Sequence, residues 1–275
     1  MKTAVILGIT SDIGRELAVR LVGDGWTVVG TYREGRDLAD VPRSCRLALC
    51  DVGSPASIDA FGEACRRDGI RWDAVIVTVG TEEPIGSFWD CDADEWDQSV
   101  TVNALGPLRV LRRLYPLRNR MGAPGVALFS GSGTNSGAPA YSAYCASKIL
   151  LIKMCELLDS ESEDTSVFII GPGIVRTKIH QQTLRAAERS GANFCRTVEF
   201  LDSPRPGTSH DEIYECLCWC LEAGKPVIGG RNVSLVYDSW RAGGRNLAAF
   251  LKRDPELYKL RRFGNDLKVT GESRR

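Results

Sequence analysis

A tyrosine and a lysine stand four residues apart in the stretch YCASK, as Tyr144 and Lys148. If this stretch is helical, as the pattern over residues 142–160 indicates, both side chains lie on one face. An ammonium group beside a phenol favours the phenolate and lowers the pKa of the tyrosine towards working pH. Such a pair can deliver a proton to a carbonyl oxygen or remove one from an alcohol. The spacing is common by chance, so its meaning depends on the rest of the chain.

Two further stretches offer polar side chains for the same chemistry. The turn FSGSGTNSG contains Ser130 and Ser132, and either hydroxyl could hold a substrate oxygen, although serine is also an ordinary turn residue. Asn103 falls inside a predicted helix, where asparagine is mildly unfavourable and a packed amide needs a partner. We interpret Asn103 as part of a proton relay through water from Lys148, with an ordinary polar helix residue as the alternative.

The loop GITSDIG, residues 8–14, joins the apolar run TAVIL to a helical pattern and predicts a phosphate cradle. Gly8 permits a tight turn, and Gly14 lets the helix pack close to the sheet. The free amides and positive dipole end of the helix suit a pyrophosphate. Asp12 is an anion in this loop. We expect it to cap the helix by accepting from the amide of Arg15, with its carboxylate turned away from a phosphate.

Other strand ends predict further contacts to a dinucleotide. Arg33 follows the second predicted strand about 20 residues after the loop, where an acidic residue would bind the ribose of NAD and a cation can pair with the 2′-phosphate of NADP. Arg33 therefore favours NADP(H). Asp51 could accept from the adenine amino group or cap a turn. Pro172 and Gly173 make a sharp exit from a later strand, and Thr177 could bond the nicotinamide carboxamide.

The elements that must position these residues alternate between short apolar runs and longer amphipathic ones. Most of the apolar runs are nearly continuous in Val, Ile and Leu, as in strands that are covered on both faces. The alternation predicts an α/β fold, a Rossmann-type doubly wound parallel sheet of about seven strands with helices on both faces. The predicted strands are 3–8, 27–32, 45–50, 73–80, 125–130, 165–171 and 232–237. The predicted helices are 13–23, 55–68, 94–118, 142–160 and 210–223.

One domain over residues 1–240 and a C-terminal helical extension and tail over 241–275 are expected. The polar segment 176–209 interrupts the strand–helix rhythm, and we interpret it as a lid. The basic residues of this lid either face an anionic substrate or form a solvated helix face. They are Arg176, Lys178, His180 and Arg185. Near Trp240 and Tyr258 the chain either packs on the core, closes the pocket or contacts another subunit, and packing is favoured.

Composition excludes some classes of function. Among 275 residues, 35 Lys and Arg balance 35 Asp and Glu, so no overall field favours nucleic acid or a membrane surface. The ten cysteines are scattered without a CxxC pair, which indicates reduced thiols and no metal site. No signal peptide is evident, and no apolar stretch reaches the roughly 18 residues of a membrane span. A cytoplasmic protein is expected.

Taken in order, the motifs GxxxxIG, DV, VN, serine, YxxxK and PGxxxT resemble those of short-chain dehydrogenases/reductases over about residues 3–240. The resemblance implies a homodimer or homotetramer and a small-molecule substrate. It also implies a set of cofactor-binding positions. They are Gly8, Thr10, Ser11, Asp12, Ile13, Gly14, Arg33, Asp51, Val52, Val79, Gly80, Tyr144, Lys148, Pro172, Gly173, Val175 and Thr177.

The chain departs from the family pattern at three places. Asp12 replaces a glycine. Thr78, in TVG, stands where the family usually has a structural asparagine. The usual catalytic serine lies 13 residues before the tyrosine, but that position is Gly131 here. A narrower resemblance, to a branch found in sugar-nucleotide and polysaccharide gene sets, aligns its serine with Ser130 and leaves Ser132 as the alternative.

The resulting hypothesis is an NADP(H)-dependent oxidoreductase that interconverts a ketone and a secondary alcohol on a sugar or sugar-nucleotide. One alternative is a ketoacyl or small-ketone reductase with the same chemistry. A different class is a dinucleotide-binding sensor or scaffold without turnover. The combination of Tyr144, Lys148 and Asn103 argues against the sensor, because such a protein needs no acid beside a lysine.

Overall fold

The computed structural model describes residues 1–204, 206–241 and 244–262, which form seven strands and ten α-helices. The strands are β1 Thr3–Leu7, β2 Thr27–Tyr32, β3 Arg46–Leu49, β4 Ala74–Val77, β5 Gly125–Phe129, β6 Ser166–Gly171 and β7 Asn232–Ser234. The longer helices are α1 Asp12–Gly23, α2 Pro55–Arg67, α3 Ala93–Val100, α4 Gly106–Leu114, α5 Ser142–Glu161, α7 Ala192–Asp202, α8 His210–Ala223 and α10 Arg245–Arg253. The short helices are α6 His180–Ala186 and α9 Lys225–Ile228.

All seven strands are parallel and lie in the order β3-β2-β1-β4-β5-β6-β7, which confirms the predicted fold class. The chain builds outward from β1 to β3 and then crosses back to place β4 on the other side of β1. A crevice forms at the carboxyl ends of the strands where the order reverses, and ligands of open α/β sheets bind there.

Each face of the sheet has its own apolar core, because alternate residues of every strand point to opposite faces. On one face Ile6 and Ile76 pack with α1, α8, α9 and α10. On the other face Val5 and Val75 pack with α2, α4 and α5. Strand β3 at the edge is more open, with Leu49 51% exposed. The central strands are therefore rigid supports for whatever follows their carboxyl ends.

The helix predicted over 94–118 is interrupted, which corrects that prediction. Thr101–Leu105 forms a π-helical turn between α3 and α4, and Tyr115–Leu117 is a 3₁₀ turn. Pro107 has no N–H for the carbonyl of Asn103 four residues earlier, which is a reason for the departure from α geometry. The strands also end earlier than predicted in places. For example, β7 stops at Ser234, whose amide donates to the carboxylate of Asp238 at 2.6 Å.

The lid segment, residues 176–209, contains α6 and α7 and begins and ends at one point. Val175 and Gly207 form an antiparallel bridge, and the amide of Thr208 donates to the carbonyl of Ile174 at 2.8 Å. Beyond β7, Trp240 is 3% exposed and belongs to the larger core with α10, so this part of the extension packs on the core as favoured. Residues 263–275 of the predicted tail lie outside the described residues.

All ten cysteines are unpaired thiols. In the described ranges, no group of three or more His, Cys, Asp or Glu side chains is placed to bind a metal ion. No helix in that part of the chain is both long enough and apolar enough to cross a bilayer.

Candidate active site

A cleft of about 1780 Å³ opens at the carboxyl ends of the strands, between β1 and β4 and beneath the lid segment. It collects nearly all of the residues that the sequence proposed as a site. Those that line it are Gly8, Thr10, Ser11, Asp12, Ile13, Arg33, Asp51, Val52, Val79, Gly80, Ser130, Ser132, Tyr144, Lys148, Pro172, Gly173, Val175 and Thr177. Gly14 and Asn103 do not line the cleft and act behind its wall.

The loop after β1 has the tight geometry that its glycines predict. Gly8 has φ +85°, a left-handed conformation that favours glycine, and its amide donates to Oγ1 of Thr31 at 3.0 Å. A Cβ at Gly14 would lie 2.5 Å from the carbonyl oxygen of Gly8, so only glycine allows this approach of helix to strand. Thr78 closes the turn, since its hydroxyl donates towards the carbonyl oxygens of Leu7 and Gly8 at 2.9 and 3.0 Å.

The prediction that Asp12 caps α1 is wrong. Ser11 is the N-cap, and its hydroxyl accepts from the amide of Gly14 at 3.0 Å. The Asp12 carboxylate instead accepts from the backbone amide of Lys178 at 2.6 Å, while the Lys178 ammonium donates to the carbonyl of Thr10 at 2.6 Å. Serine reaches the first-turn amides from one residue earlier, which leaves the aspartate free to turn outward and hold the start of the lid segment.

The first turn of α1 keeps backbone donors for a ligand. Within the described chain, the amides of Asp12 and Ile13 have no acceptor, as expected at a helix N-terminus. Arg33 is exposed at the end of β2 and lines the cleft together with Arg36. Asp51 follows β3, and one of its carboxylate oxygens accepts from the amide of Gly53 at 2.9 Å. This end of the cleft therefore combines amide donors, two cations and a fixed carboxylate.

Tyr144 and Lys148 lie on the first two turns of α5 and face the cleft, at 8% and 6% exposure. The Lys148 ammonium donates to the carbonyl of Phe129 at the end of β5, at 3.1 Å, and lies 5.4 Å from the centre of the Tyr144 ring. No hydrogen bond among the described residues uses the Tyr144 hydroxyl. The lysine is thus held by the sheet, and the phenol is left with its hydroxyl available to a ligand.

The pKa of Tyr144 shifts in the direction opposite to the one expected. Burial raises the pKa of Tyr144, and the nearby carboxyl of Glu82 raises it further. Burial lowers the pKa of Lys148 to about 8. Both groups lose hydration in the same wall, and this cost exceeds the help that an ammonium group gives to a phenolate. The prediction that Lys148 lowers the pKa of Tyr144 is therefore wrong.

The stretch after β5 explains the missing family serine. A Cβ at Gly131 would lie 2.1 Å from the hydroxyl oxygen of Tyr144, so the tyrosine hydroxyl occupies the space that a side chain at this position needs. Ser130 is 7% exposed, and its hydroxyl faces Gly171 at the end of β6. Ser132 is exposed on the loop. Both hydroxyls are open to the cleft from opposite sides of Gly131.

Asn103 is fully buried in the π-helical turn, and its side chain both accepts a hydrogen bond from Thr81 and donates one to it. Its side-chain oxygen accepts from the amide of Thr81, and its nitrogen donates to the Thr81 carbonyl, each at 2.8 Å. The nitrogen also approaches Oγ of Ser99 at 3.2 Å. The buried amide does find partners, as expected. Its side chain fixes the loop after β4, and no described residue donates to the second lone pair of its oxygen.

The proposed anion-facing residues of the lid segment are mostly engaged within the protein. Arg176 does not line the cleft, and its guanidinium donates to the carbonyls of Leu201 and Phe200 at the end of α7. The His180 ring contacts the carbonyl of Val175 at 2.8 Å. Arg185 lines the cleft and donates through Nε to its own helix. Arg176 is thus a helix cap, because its long side chain reaches unpaired carbonyls within the lid itself.

Sequence reasoning missed a group of residues at the far end of the cleft. Glu82, Tyr141, Gln182 and Thr183 all line it and are joined by hydrogen bonds between the loop after β4, the start of α5 and α6. Glu82 and Thr183, which share one of these hydrogen bonds, are 101 positions apart in the sequence. The sequence offered one signal for Glu82, since the stretch TEE at residues 81–83 directly follows the predicted strand 73–80.

Comparison with known proteins agrees with this geometry. Residues 2–188 match the family model described as short chain dehydrogenase. An NADPH-dependent pterin aldehyde reductase of Arabidopsis thaliana is 26% identical over 186 residues, which is 65% of this chain and 76% of the reductase. An estradiol 17-beta-dehydrogenase 1 of Rattus norvegicus is 29% identical over 195 residues, 65% of this chain but only 55% of the relative.

A solved structure gives the same fold. A short-chain dehydrogenase/reductase of Saccharomyces cerevisiae superposes with a TM-score of 0.74 at 16% identity, over 91% of this chain and 100% of the yeast chain. The match to the family model covers most of the chain, and the cleft holds the tyrosine–lysine pair and the glycine-containing turn of that family. The chain therefore belongs to the short-chain dehydrogenase family and is an oxidoreductase that acts on CH–OH or carbonyl groups with NAD(P).

Proposed function

We propose that the protein is an NADP(H)-dependent oxidoreductase that interconverts a ketone and a secondary alcohol on a sugar or sugar-nucleotide. The observation that carries this proposal is the Tyr144 hydroxyl, which lines the cleft without a hydrogen-bond partner among the described residues. A buried lysine stands beside it on the same helix face. A scaffold or sensor has no use for a sequestered acid of this kind.

The nucleotide end of the cleft fits a dinucleotide. Gly8 and Gly14 hold the turn so close to the sheet that side chains there would fill the space, and the amides of Asp12 and Ile13 are unpaired. Bound here, a nicotinamide cofactor supplies hydride transfer to or from the substrate carbon. The role of Arg33 is to pair with a 2′-phosphate, which favours NADP(H). The NADPH dependence in the name of the Arabidopsis relative supports the same preference.

The remaining cofactor contacts follow the walls of the cleft. Asp51 keeps one carboxylate oxygen for the adenine amino group, and Thr177 offers a hydroxyl to the carboxamide. Thr10, Ser11, Val52, Val79, Gly80, Pro172, Gly173 and Val175 complete the contact surface.

The chemical steps that this chain performs concern the proton. In the reductive direction the Tyr144 hydroxyl donates to the substrate oxygen, and in the oxidative direction the phenolate accepts from the alcohol. Lys148 stabilises the phenolate by its charge once a ligand has changed the hydration of the wall, and it holds the cofactor ribose. Ser130, or Ser132 in its place, orients the substrate oxygen by a hydrogen bond. Asn103 fixes the loop after β4 and feeds the proton relay through water from Lys148.

The substrate class rests on the polar end of the cleft and on the sequence resemblance to polysaccharide gene sets. Arg185, Arg189 and Arg196 line the cleft from the lid segment. Several cations of this kind suit the phosphates of a sugar-nucleotide. A ketoacyl or small-ketone reductase is the second candidate, and the Arabidopsis relative, by its name, likewise reduces a carbonyl compound that is not a sugar-nucleotide.

The decisive experiment is Tyr144→Phe, measured by NADPH oxidation with a panel of nucleotide sugars and simple ketones. The variant should retain NADPH affinity by fluorescence titration and lose about 10²- to 10⁴-fold in kcat. Tyr115→Phe, whose hydroxyl lies far from the cleft against Ser162, is the matched control and should keep wild-type turnover. An active Tyr144→Phe enzyme would refute the proposed chemistry.

The cofactor preference has a separate test in Arg33→Asp. The variant should lose affinity for NADPH and gain relative preference for NADH, because a carboxylate repels the 2′-phosphate and accepts from a 2′-hydroxyl. Equal affinities of the unmutated protein for the two cofactors would remove the role of Arg33.

We further propose a cytoplasmic homodimer or homotetramer. Ten unpaired thiols suit a reducing compartment, and the family resemblance implies contacts through α4 and α5. Light scattering of the purified protein at micromolar concentration measures the oligomeric state directly, and a monomer would contradict this assembly.

A further inference from the structure

Glu82 is a buried carboxyl group in the wall of the cleft that the proton chemistry above does not use. It follows β4 in the loop held by Asn103, is 9% exposed and lines the cleft near Tyr144. No ion pair in the described part of the chain includes it. Burial raises its pKa to about 7. An unpaired buried carboxyl is costly, so its presence calls for a partner.

The position of this carboxyl is fixed from several sides. The hydroxyl of Thr183 in α6 donates to Oε2 of Glu82 at 3.0 Å and lies 2.7 Å from the hydroxyl of Tyr141. A threonine hydroxyl has one proton, so Thr183 must accept from Tyr141 when it donates to Glu82. The amide of Glu82 donates to the Gln182 side chain at 2.6 Å. The carboxyl is therefore aimed and held before any ligand arrives.

The second oxygen of this carboxyl is free. Among the described residues nothing donates to Oε1 of Glu82, and this oxygen is not among the buried atoms sealed without a partner. Glu82 lies in the same part of the wall as Tyr144. Tyr144 packs in one apolar cluster with Tyr141, whose hydroxyl lies 2.7 Å from the Thr183 hydroxyl that donates to Glu82. The two groups are thus near enough to engage one small molecule together.

We propose that Oε1 of Glu82 binds a second hydroxyl group of the substrate. The carbon that carries this hydroxyl is next to the reacting carbon, whose oxygen exchanges a proton with Tyr144. This assigns a hydroxy-ketone or polyol as the substrate class, in preference to an isolated ketone. The assignment rests on the proposed oxidoreductase function and deepens it, because it names what the enzyme recognises beyond the reacting carbonyl.

A hydroxyl fits this position better than an ammonium group. A hydroxyl can donate to the carboxylate and can also accept from the carboxylic acid, so it satisfies Glu82 in either protonation state. Three exposed arginines, Arg185, Arg189 and Arg196, line the same cleft and disfavour a cationic ligand. A substrate that lacks the hydroxyl leaves the buried carboxyl without a partner and is bound less well for that reason.

The test compares matched carbonyl compounds, cyclohexanone and 2-hydroxycyclohexanone, in NADPH oxidation by the full-length protein. The wild-type enzyme should favour the hydroxy-ketone in kcat/KM by about 10- to 100-fold, as expected for one hydrogen bond to a charged group. Glu82→Ala should reduce this ratio to within about threefold by slowing the hydroxy-ketone alone, and Glu82→Gln should give an intermediate ratio.

Asp90→Asn is the matched control, since Asp90 is an exposed carboxylate in the same connection from β4 to α3 and does not line the cleft, and its ratio should equal the wild-type value. A merely structural role of Glu82 would slow both compounds equally and leave the ratio unchanged, which would overturn the assignment. A wild-type enzyme that reduces both ketones at similar rates would also overturn it while leaving the oxidoreductase function intact. No reduction of either compound, or of any ketone in the panel above, would refute both proposals.

Discussion

The two ends of the cleft are built in different ways. At the nucleotide end, the turn after β1 is shaped by hydrogen bonds between neighbouring residues, as between Ser11 and Gly14, and it presents the free backbone amides of Asp12 and Ile13. At the substrate end, side chains from three distant segments meet, as Glu82, Tyr141 and Thr183 do. The turn at the first end is shaped within one strand–turn–helix unit and is then tied to the sheet by Thr31 and Thr78. The hydrogen bonds of the second end all join segments that are far apart in the chain.

The difference also concerns charge and burial. The nucleotide end exposes its charged groups, and Asp12 is compensated by Lys178 and Arg15 within 3.8 Å. The substrate end buries Glu82, Tyr144 and Lys148. Burial raises the pKa of the two acids and lowers the pKa of the lysine, so each shift favours the neutral form of its group. A general binding function can be served by an exposed and compensated surface, while specific chemistry needs groups whose partners are withheld until the ligand binds.

The largest expected effect lies at the chemical centre. Lys148→Met should lower kcat by about 10²- to 10⁴-fold, because the phenolate of Tyr144 loses its stabilising charge. Steady-state kinetics with NADPH measure the loss. Lys153→Met, on the same helix but exposed and paired with Glu156, should retain wild-type activity. Equal kinetics of the two variants would show that Lys148 has only a packing role.

At the nucleotide end, we expect the substitution Gly14→Ala to weaken NADPH binding and to destabilise the fold. The methyl group of Gly14→Ala would collide with the Gly8 carbonyl at 2.5 Å, so the turn must shift. We expect NADPH affinity to fall at least tenfold and the free energy of unfolding to fall by about 1–3 kcal/mol.

The control for that change is Gly23→Ala at the other end of α1. A Cβ there meets nothing within 4 Å. This variant should be neutral or more stable by about 0.5–1 kcal/mol, since alanine is the better helix former. Urea unfolding and fluorescence titration measure both quantities, and a tolerated Gly14→Ala would contradict the close approach of helix and strand.

The pKa of Glu82 makes stability depend on pH at the substrate end. Its folded pKa of about 7 lies above the ordinary value of 4.5, so the folded protein keeps this proton at pH values at which the unfolded chain has lost it. Stability is therefore lost as the pH rises from about 4.5 through 7. Glu82→Gln removes this loss and should stabilise the protein at pH 8.5 by on the order of 2 kcal/mol.

At pH 5 the two proteins should unfold at nearly the same urea concentration, because the wild-type carboxyl is then largely protonated. The exposed Glu83→Gln variant should match the wild type at both pH values. A Glu82→Gln variant that gained no stability at alkaline pH would mean that Glu82 is ionised without cost in the fold.

The smallest effect is expected at Asp12. Asp12→Asn keeps an acceptor for the Lys178 amide and removes an anion near the phosphate cradle, so NADPH should bind about two- to fivefold more tightly. The gain should shrink in high salt, because the groups are partly exposed. Fluorescence titration at two salt concentrations measures it. Weaker binding would mean that the carboxylate supports the cofactor through the lid.

The sequence predicted the fold and the tight turn after β1 well, for a physical reason that is local. Runs such as AVIL in β1 and AVIV in β4 are apolar at every position, and the glycines of the loop have one conformational use each. The identity of the N-cap was wrong because Ser11 and Asp12 are both good caps and only the backbone geometry chooses between them.

The substrate end was predicted less completely. Tyr144 and Lys148 could be found because their spacing is typical of one helix face. No local pattern around Glu82 predicts its contact with Thr183, which is 101 residues away. The interruption around Asn103 was also missed. Pro107 was a signal for it in the sequence, but the π-helical form of the turn depends on tertiary contacts such as that of Asn103 with Thr81.

By itself the sequence determined the parallel sheet, the glycine turn after β1 and the tyrosine–lysine pair, because periodicity and spacing act over a few residues. Only the tertiary structure decided that the Tyr144 hydroxyl lies against Gly131, that Asp12 holds the lid segment, and that a carboxyl stands beside the phenol. Burial and long-range contact set the pKa values and free hydrogen-bonding groups of a site, and both arise only once distant segments pack together.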